Sequence, residues 1–232
     1  MTYTERKNKR GGNEASLDGG QTWRKLLPIL FTADNAQKCF DGVKTQTRRI
    51  IKKASLKFKN ADMPFAMHWP AECYFDGKTF TPDLLEAAKL ARYRVGDILY
   101  CKEPWRTHES MDGIKPTCLA DHVQIQFEGW AGYRFWAGKD NGKLRPARFM
   151  PLRFSRPARY EITAVRCERV IDISEDDAKA EGCFGWLADM DAPPPPDHDP
   201  VQHFRLLWNS IHGKGAFDRG DWVFAYTFRR VN

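Results

Sequence analysis

The segment Trp222–Arg229 constrains the fold most. Trp222, Phe224, Tyr226 and Phe228 recur at every second position, with Thr227 and Arg229 between and after them. A period of two puts four large aromatic rings on one side of a β-strand. Such a face is stable only against a second layer, so the chain must build on a sheet. Another alternation starts at Arg159: Tyr160, Ile162 and Ala164 share one face and Glu161 and Thr163 the other, with a change of phase near Val165 of the kind a bulge makes. Leu26, Leu27, Ile29, Leu30 and Phe31 read as a buried first strand, and Ile98-Leu99-Tyr100-Cys101 as another, opened by Gly96-Asp97.

Short helices fall between these strands. Thr32 is a helix cap, Ala36, Cys39 and Phe40 follow at helical spacing, and Gly42 suits the end. Thr81 and Pro82 start a helix through Ala91. Ser174, with Asp177 three residues on, caps one that runs to Glu181 and stops at Gly182. Asp199-Pro200 begins the last, with Val201, Phe204, Leu207, Trp208 and Ile211 as its apolar stripe and Gly213 as its end. Four consecutive prolines at 193–196 exclude helix and inner strand there. The resulting class is α+β, strands dominating the core, with a small closed or half-closed β-barrel as the natural architecture. Residues 1–20, polar and carrying the run Arg6-Lys7-Asn8-Lys9-Arg10, read as a flexible basic tail. Residues 21–232 read as a single domain with insertions at about 52–92 and 106–145.

The bulk numbers narrow the function. Hydrophobic content of 42% with eight tryptophans in 232 residues supports a folded core. The longest apolar run, Leu26 to Phe31, is broken by Pro28 and is far too short to span a bilayer, and no secretory signal is visible. Six cysteines form no C-x-x-C pair and read as buried thiols. The expected location is therefore the cytoplasm, with no membrane partner. His198 and His203, five apart across a proline-rich loop and a helix start, have no cysteine near them in sequence, and no metal or cofactor is expected. A net charge of +7 leans towards a polyanionic partner. Between Lys143 and Arg169 eight cations face two acids, +6 in 27 residues. Arg153, Arg156 and Arg159 lie in this stretch, with Phe149, Phe154 and Tyr160 near enough in sequence to stack bases. It is either a phosphate track or a solvated outer face.

The chemistry concentrates in Lys44-Thr45-Gln46-Thr47-Arg48-Arg49: an ammonium, two hydroxyls and two guanidiniums in six residues. That mixture suits an oxyanion or a polarised carbonyl. Thr47 needs a base to become a nucleophile, and Lys44 is one only if its pKa falls. The alternative is an exposed Lys44, a Thr47 that sits in a strand ladder, and arginines that bind phosphate without reaction. Glu181 stands at a helix C-terminus, where the dipole disfavours a carboxylate by roughly 0.3–1 kcal/mol, which points to a role elsewhere. Glu103, on the side of its strand that faces inward and next to Lys102 and Trp105, reads as a catalytic acid or as half of a structural ion pair.

Four separated pieces together resemble the ASCH domain family of the PUA-like superfamily. They are Gly42-x-Lys44-Thr45-x-Thr47-x-Arg49; Tyr93-Arg94-Val95-Gly96-Asp97-Ile98-Leu99 leading to Lys102-Glu103-x-Trp105; Met150-Pro151 through the strand ending at Val170; and Asp172 to Gly182. Leu207-Trp208-Asn209-Ser210-Ile211 and Phe228-Arg229-Arg230-Val231 resemble larger, often phage-encoded members, which would put the protein in a host cytoplasm. The resemblance covers about residues 25–232.

It implies a PUA-like β-barrel with short flanking helices and a cleft for a nucleoside, RNA or DNA. Small bacterial members are amidohydrolases that remove the acyl group from N4-acetylcytidine. Their catalytic lysine, threonine and glutamate match Lys44, Thr47 and Glu181. Thr45, Arg48, Arg49, Glu103, Trp105, Arg153, Arg156 and Arg159 are then the candidate substrate or phosphate contacts. Other members are ribonucleases or RNA-binding proteins, so a ribonuclease and a non-catalytic RNA, DNA or modified-base binder are the alternatives. The oligomeric state has no signature in the sequence.

Overall fold

The computed structural model of the protein describes residues 2–51, 73–75, 78–80, 91–128, 142–184 and 199–232. The helix expected from Thr81 to Ala91, the hairpin expected at 129–136 and the proline run fall almost wholly or entirely outside these residues. The fold is mixed α+β. Seven strands form one sheet: β1 (Thr4–Lys7), β2 (Asn13–Ser16), β3 (Arg24–Leu30), β4 (Gln46–Ile50), β7 (Ile98–Lys102), β10 (Arg159–Arg169) and β11 (Trp222–Arg230). Two small pairs, β5 (Cys73–Phe75) with β6 (Lys78–Phe80) and β8 (Trp105–Arg106) with β9 (Gln126–Phe127), stand apart from it. The order in the large sheet is β1-β2-β3-β7-β10-β11-β4. It runs from one edge strand to another and, among the described residues, does not close into the expected barrel. β3 and β7 are parallel, Leu26 opposite Ile98 and Leu30 opposite Lys102, which requires a crossover, and helix α1 (Ala33–Phe40) lies within it.

The chain divides into two compact units: Met1–Thr45 with Gly96–Ile162 and Phe228–Asn232, and Gln46–Val95 with Thr163–Thr227. A single domain over 21–232 was the expectation. The long strands β10 and β11 each give residues to both units.

In the first unit, Ala15, Leu26, Ile98 and Tyr100 form one buried cluster, and Trp105, Leu119, Phe127, Met150 and Phe154 a second. The flexible tail expected over residues 1–20 is corrected: β1 and β2 are an antiparallel hairpin, and β2 continues the sheet onto β3. The residues that dock it are small, Ala15 and Ser16, so hydropathy does not register them. Polar contacts do the rest. Ser16 Oγ donates to Asp18 and accepts from the Gly20 amide, and Arg159 Nε reaches Glu5 at 2.7 Å. The first strand also differs from expectation. Leu26, Ile29 and Phe31 are buried, but Leu30 points outward.

In the second unit, helices α2 (Glu175–Ala180) and α3 (Pro200–His212) pack on the sheet through Val170, Ala178, Phe204, Trp208, Phe217 and Val223. The expected caps are in place: Ser174 accepts from the Asp177 amide and Asp199 from the Val201 amide. Ile211, expected in the apolar stripe of α3, is 52% exposed, because the helix runs past the cluster at its end. In β11 both faces are covered, Val223 by the helices and Tyr226 by Tyr93, whose ring meets it edge-on at 5.1 Å. Among the described residues no helix is long and apolar enough to cross a membrane.

The docked hairpin has a direct test. Ala15 is 0% exposed, so Ala15→Asp buries a carboxylate without a partner. It should lower stability by about 3–5 kcal/mol in urea unfolding; a change within error would return the segment to a dispensable tail.

Candidate functional site

The candidate motif starts in the first unit, where α1 ends. Thr32 accepts from the Asn35 amide at its start, and Gly42 takes φ 77°, the left-handed geometry that suits glycine, after its end. The amides of Val43 and Lys44 then both donate to the Lys38 carbonyl, at 2.9 and 3.0 Å. This tight return withdraws Lys44 from water. The residue is 2% exposed, and Nζ lies 5.9 Å from the centroid of the Phe31 ring. Thr45 is exposed, and its carbonyl accepts from the Phe228 amide.

The rest of the motif forms β4, in the second unit. β4 pairs antiparallel with β11, Thr47 opposite Tyr226 and Arg48 opposite Ala225. Side chains alternate along a strand, so Gln46 and Arg48 share one face and Thr47 and Arg49 the other. The two arginines therefore have different environments. Arg48 has no side-chain exposure, and all five of its N–H donors are engaged. Nε and Nη2 both reach Glu168 Oε1, at 2.9 and 2.6 Å. Nη2 also donates to Asp177 Oδ2 at 2.8 Å, and Nη1 to Gln46 Oε1 at 2.7 Å and Glu181 Oε1 at 3.2 Å. Arg166 adds a second guanidinium, on Glu168 and Asp177. A guanidinium so fully used holds protein acids, where the sequence reading made it a phosphate clamp.

Arg49 is exposed. It shares its face with Thr47, which is 4% exposed, and with Phe224 and Tyr226 across the ladder. Burial pushes the Tyr226 hydroxyl up to about 12, so it stays protonated at neutral pH. His212 is held below its usual pKa, first by burial and then by the charge of Arg49.

Glu181 is the C-cap residue of α2, and Gly182 behind it takes φ 83°. Its carboxylate is 4% exposed at the negative end of the helix. Arg48 Nη1 offsets the unfavourable dipole there. Sequence reasoning missed Glu168, Asp177 and Gln46 as partners of this group. The signal was present: Gln46 and Arg48 are two apart on a strand, and Asp177 and Glu181 four apart on a helix, so each pair shares a face.

The remaining candidates belong to the first unit. Glu103 is buried and takes a bidentate bond from Arg156, Nε and Nη2, at 2.7 and 2.8 Å. Arg156 lies between the rings of Phe40 and Phe127 and also donates to Gln37 Oε1. Burial raises the Glu103 pKa and the bonds from Arg156 oppose it; the two-point geometry favours the ionised pair. Trp105 is fully buried, 5.8 Å from the Phe154 ring. Arg153 Nη2 donates to the carbonyls of Pro116, Thr117 and Leu119, and its Nε pairs with Asp121. Arg159 is buried on Glu5 and on the carbonyls of Arg156 and Ala158. These arginines, read from sequence as a phosphate track, fasten chain segments with few ladder partners of their own. Of the three aromatic residues, Phe154 and Tyr160 are buried, and Phe149 is 52% exposed.

Arg48→Ala should cost about 3–5 kcal/mol in chemical unfolding, since it leaves the buried Glu181 carboxylate short of a donor. Arg48→Lys should lose most of that stability too, because an ammonium cannot reproduce the planar fork. Glu103→Leu and Arg156→Met should each destabilise by about 3–5 kcal/mol, and the double variant by clearly less than their sum; additive losses in the double-mutant cycle would refute a coupled pair. Comparisons with protein-family models, with curated proteins and with solved structures find no match, so the site is interpreted from its own residues.

Proposed function

We propose that the protein removes the acyl group from an N4-acylated cytosine or a related modified base, carried on a nucleoside or on nucleic acid. The observation that carries this reading is the burial of three reactive groups in the motif and its helical partner. Lys44, Thr47 and Glu181 are 2%, 4% and 4% exposed, while Thr45 and Arg49 beside them are exposed. Ionisable and hydroxyl side chains lose favourable hydration when buried, and a chain keeps them there where they have partners or work. Arg48, saturated by protein acceptors, keeps the Glu181 carboxylate in one place.

The reaction is amide hydrolysis. Water adds to the acyl carbonyl, the bond from carbon to the exocyclic nitrogen breaks, and the products are a carboxylate, a proton and the free amine of cytosine. Thr47 orients the water, or itself attacks the acyl carbonyl to form an ester that water then hydrolyses. Lys44 takes its proton or donates to the developing oxyanion. Glu181 delivers a proton to the departing amine. Thr45 and Arg49 supply exposed contacts to the base or to phosphate. A PUA-like barrel and a cytoplasmic setting, in a host cell if the gene is phage-borne, belong to the same reading.

A second reading is a nucleic-acid binder without chemistry. It is favoured by the exposed Phe149 ring, which has the Arg148 guanidinium 4.6 Å from its centroid, a pair suited to stacking a base.

Purified protein incubated with N4-acetylcytidine, and with RNA containing that base, should release acetate and leave cytosine, read as a mass change. Lys44→Ala, Thr47→Ala and Glu181→Gln should each slow turnover by about 10²–10⁴-fold. Wild-type protein that leaves both substrates intact would sink the hydrolase and leave the binder.

A further inference from the structure

The tip of the β1–β2 hairpin gathers more cations than the acids of the hairpin pair with. Four lie within five residues: Arg6, Lys7, Lys9 and Arg10. The two acids of the hairpin are already used. Glu5 accepts from Arg159 and from the Tyr3 hydroxyl, and Glu14 from Arg6 and Asn8. Lys7, Lys9 and Arg10 are exposed, and among the described residues no carboxylate pairs with them.

The tip is also ordered in shape. The Asn8 amide donates to the Gly12 carbonyl at 2.8 Å, and the Gly11 amide to the Asn8 carbonyl at 2.9 Å. Asn8 Oδ1 accepts from the amides of Arg10 and Gly12. Around this turn is a concave cavity of about 500 Å³, lined by Arg6, Lys7, Asn8, Lys9, Arg10 and Glu14. Arg6 is anchored, with its guanidinium 3.8 Å from the centroid of Trp23.

Lysine on an edge strand discourages sheet-to-sheet association, and this accounts for Lys7 on β1. It does not account for Lys9 and Arg10, which are in the turn beyond the ladder. We infer that the hairpin tip is a binding element for the phosphate backbone of a nucleic acid. Cations carried on one ordered turn suit several phosphates of one strand, and arginine can hold a phosphate through two N–H groups. A membrane surface fits less well, because the tip has no apolar side chain to insert and the nearby Trp23 is covered by Arg6. The inference goes beyond the hydrolase reading by making the partner polymeric, and it is tested on RNA without acylated bases, so either idea can fail alone.

The experiment measures anisotropy of a labelled single-stranded RNA with the full chain, between about 50 and 200 mM salt. The triple variant Lys7→Ala, Lys9→Ala, Arg10→Ala should weaken binding roughly tenfold or more at the low-salt end. It should also make the slope of log affinity against log salt shallower by about 2, near 0.7 per lost phosphate contact. The charge-preserving variant Lys7→Arg, Lys9→Arg, Arg10→Lys should bind as wild type, which separates loss of charge from loss of fold. Lys214→Ala, a lysine exposed elsewhere, should have a much smaller effect. The inference is overturned if the wild type does not bind RNA, if its affinity ignores salt, or if the triple variant keeps affinity and slope. It is equally overturned if the triple variant loses only binding to phosphatidylserine–phosphatidylcholine vesicles.

Discussion

The second unit depends on one guanidinium. Arg48 is removed from water, as is the Glu181 carboxylate beside it, while Glu168 and Asp177 are half-buried. Such a group is tolerated only when every donor has an acceptor and the opposite charges are close. Arg48 meets both conditions by drawing on β4 itself, on Glu168 of β10, on Asp177 within α2 and on Glu181 at its end. One side chain of β4 is thus tied to two elements more than a hundred residues further along the chain. The short helix α2, six residues long, could not hold its place by propensity alone. Its cap, its contact with α3 and the carboxylates it offers to Arg48 hold it together.

The same chemistry recurs in the first unit with different partners. Arg156 closes on Glu103 inside the protein, Arg159 on Glu5 and two carbonyls, and Arg153 on three carbonyls of one loop. Irregular chain has backbone acceptors that no ladder satisfies, and arginine, with five fixed donors, satisfies several at once. Much of the basic character of the chain is therefore spent internally. Among the described residues, Arg148 beside Phe149 and the tip of the β1–β2 hairpin are cations exposed to a partner.

The regular elements were largely legible. Thr32, Ser174 and Asp199 cap helices as read, the glycines at 42, 182 and 213 stand just past the ends, and the alternations around 160 and 224 are strands. These signals are local, set by a few neighbours in the chain. The hairpin at the N-terminus was illegible for a physical reason. It is held by two small residues and a set of polar contacts, while its composition is that of a solvated tail. Closure of the small closed or half-closed barrel expected from the sequence depends on which strands meet at the edges, and no single strand encodes that.

Of the candidate site, the sequence by itself determined the chemistry at hand: a lysine, two threonines, two arginines and a distant glutamate. Folding makes Gln46–Ile50 a strand, whose period of two turns Arg48 and Arg49 opposite ways. Only the tertiary structure decided which of them is buried among acids and which meets solvent. It likewise decided that Glu103 and Arg156, 53 residues apart, are one ion pair. Charge in a sequence carries no record of its partner. Whether a cation serves the fold or a ligand is settled by the acceptors that folding brings within about 3 Å of it.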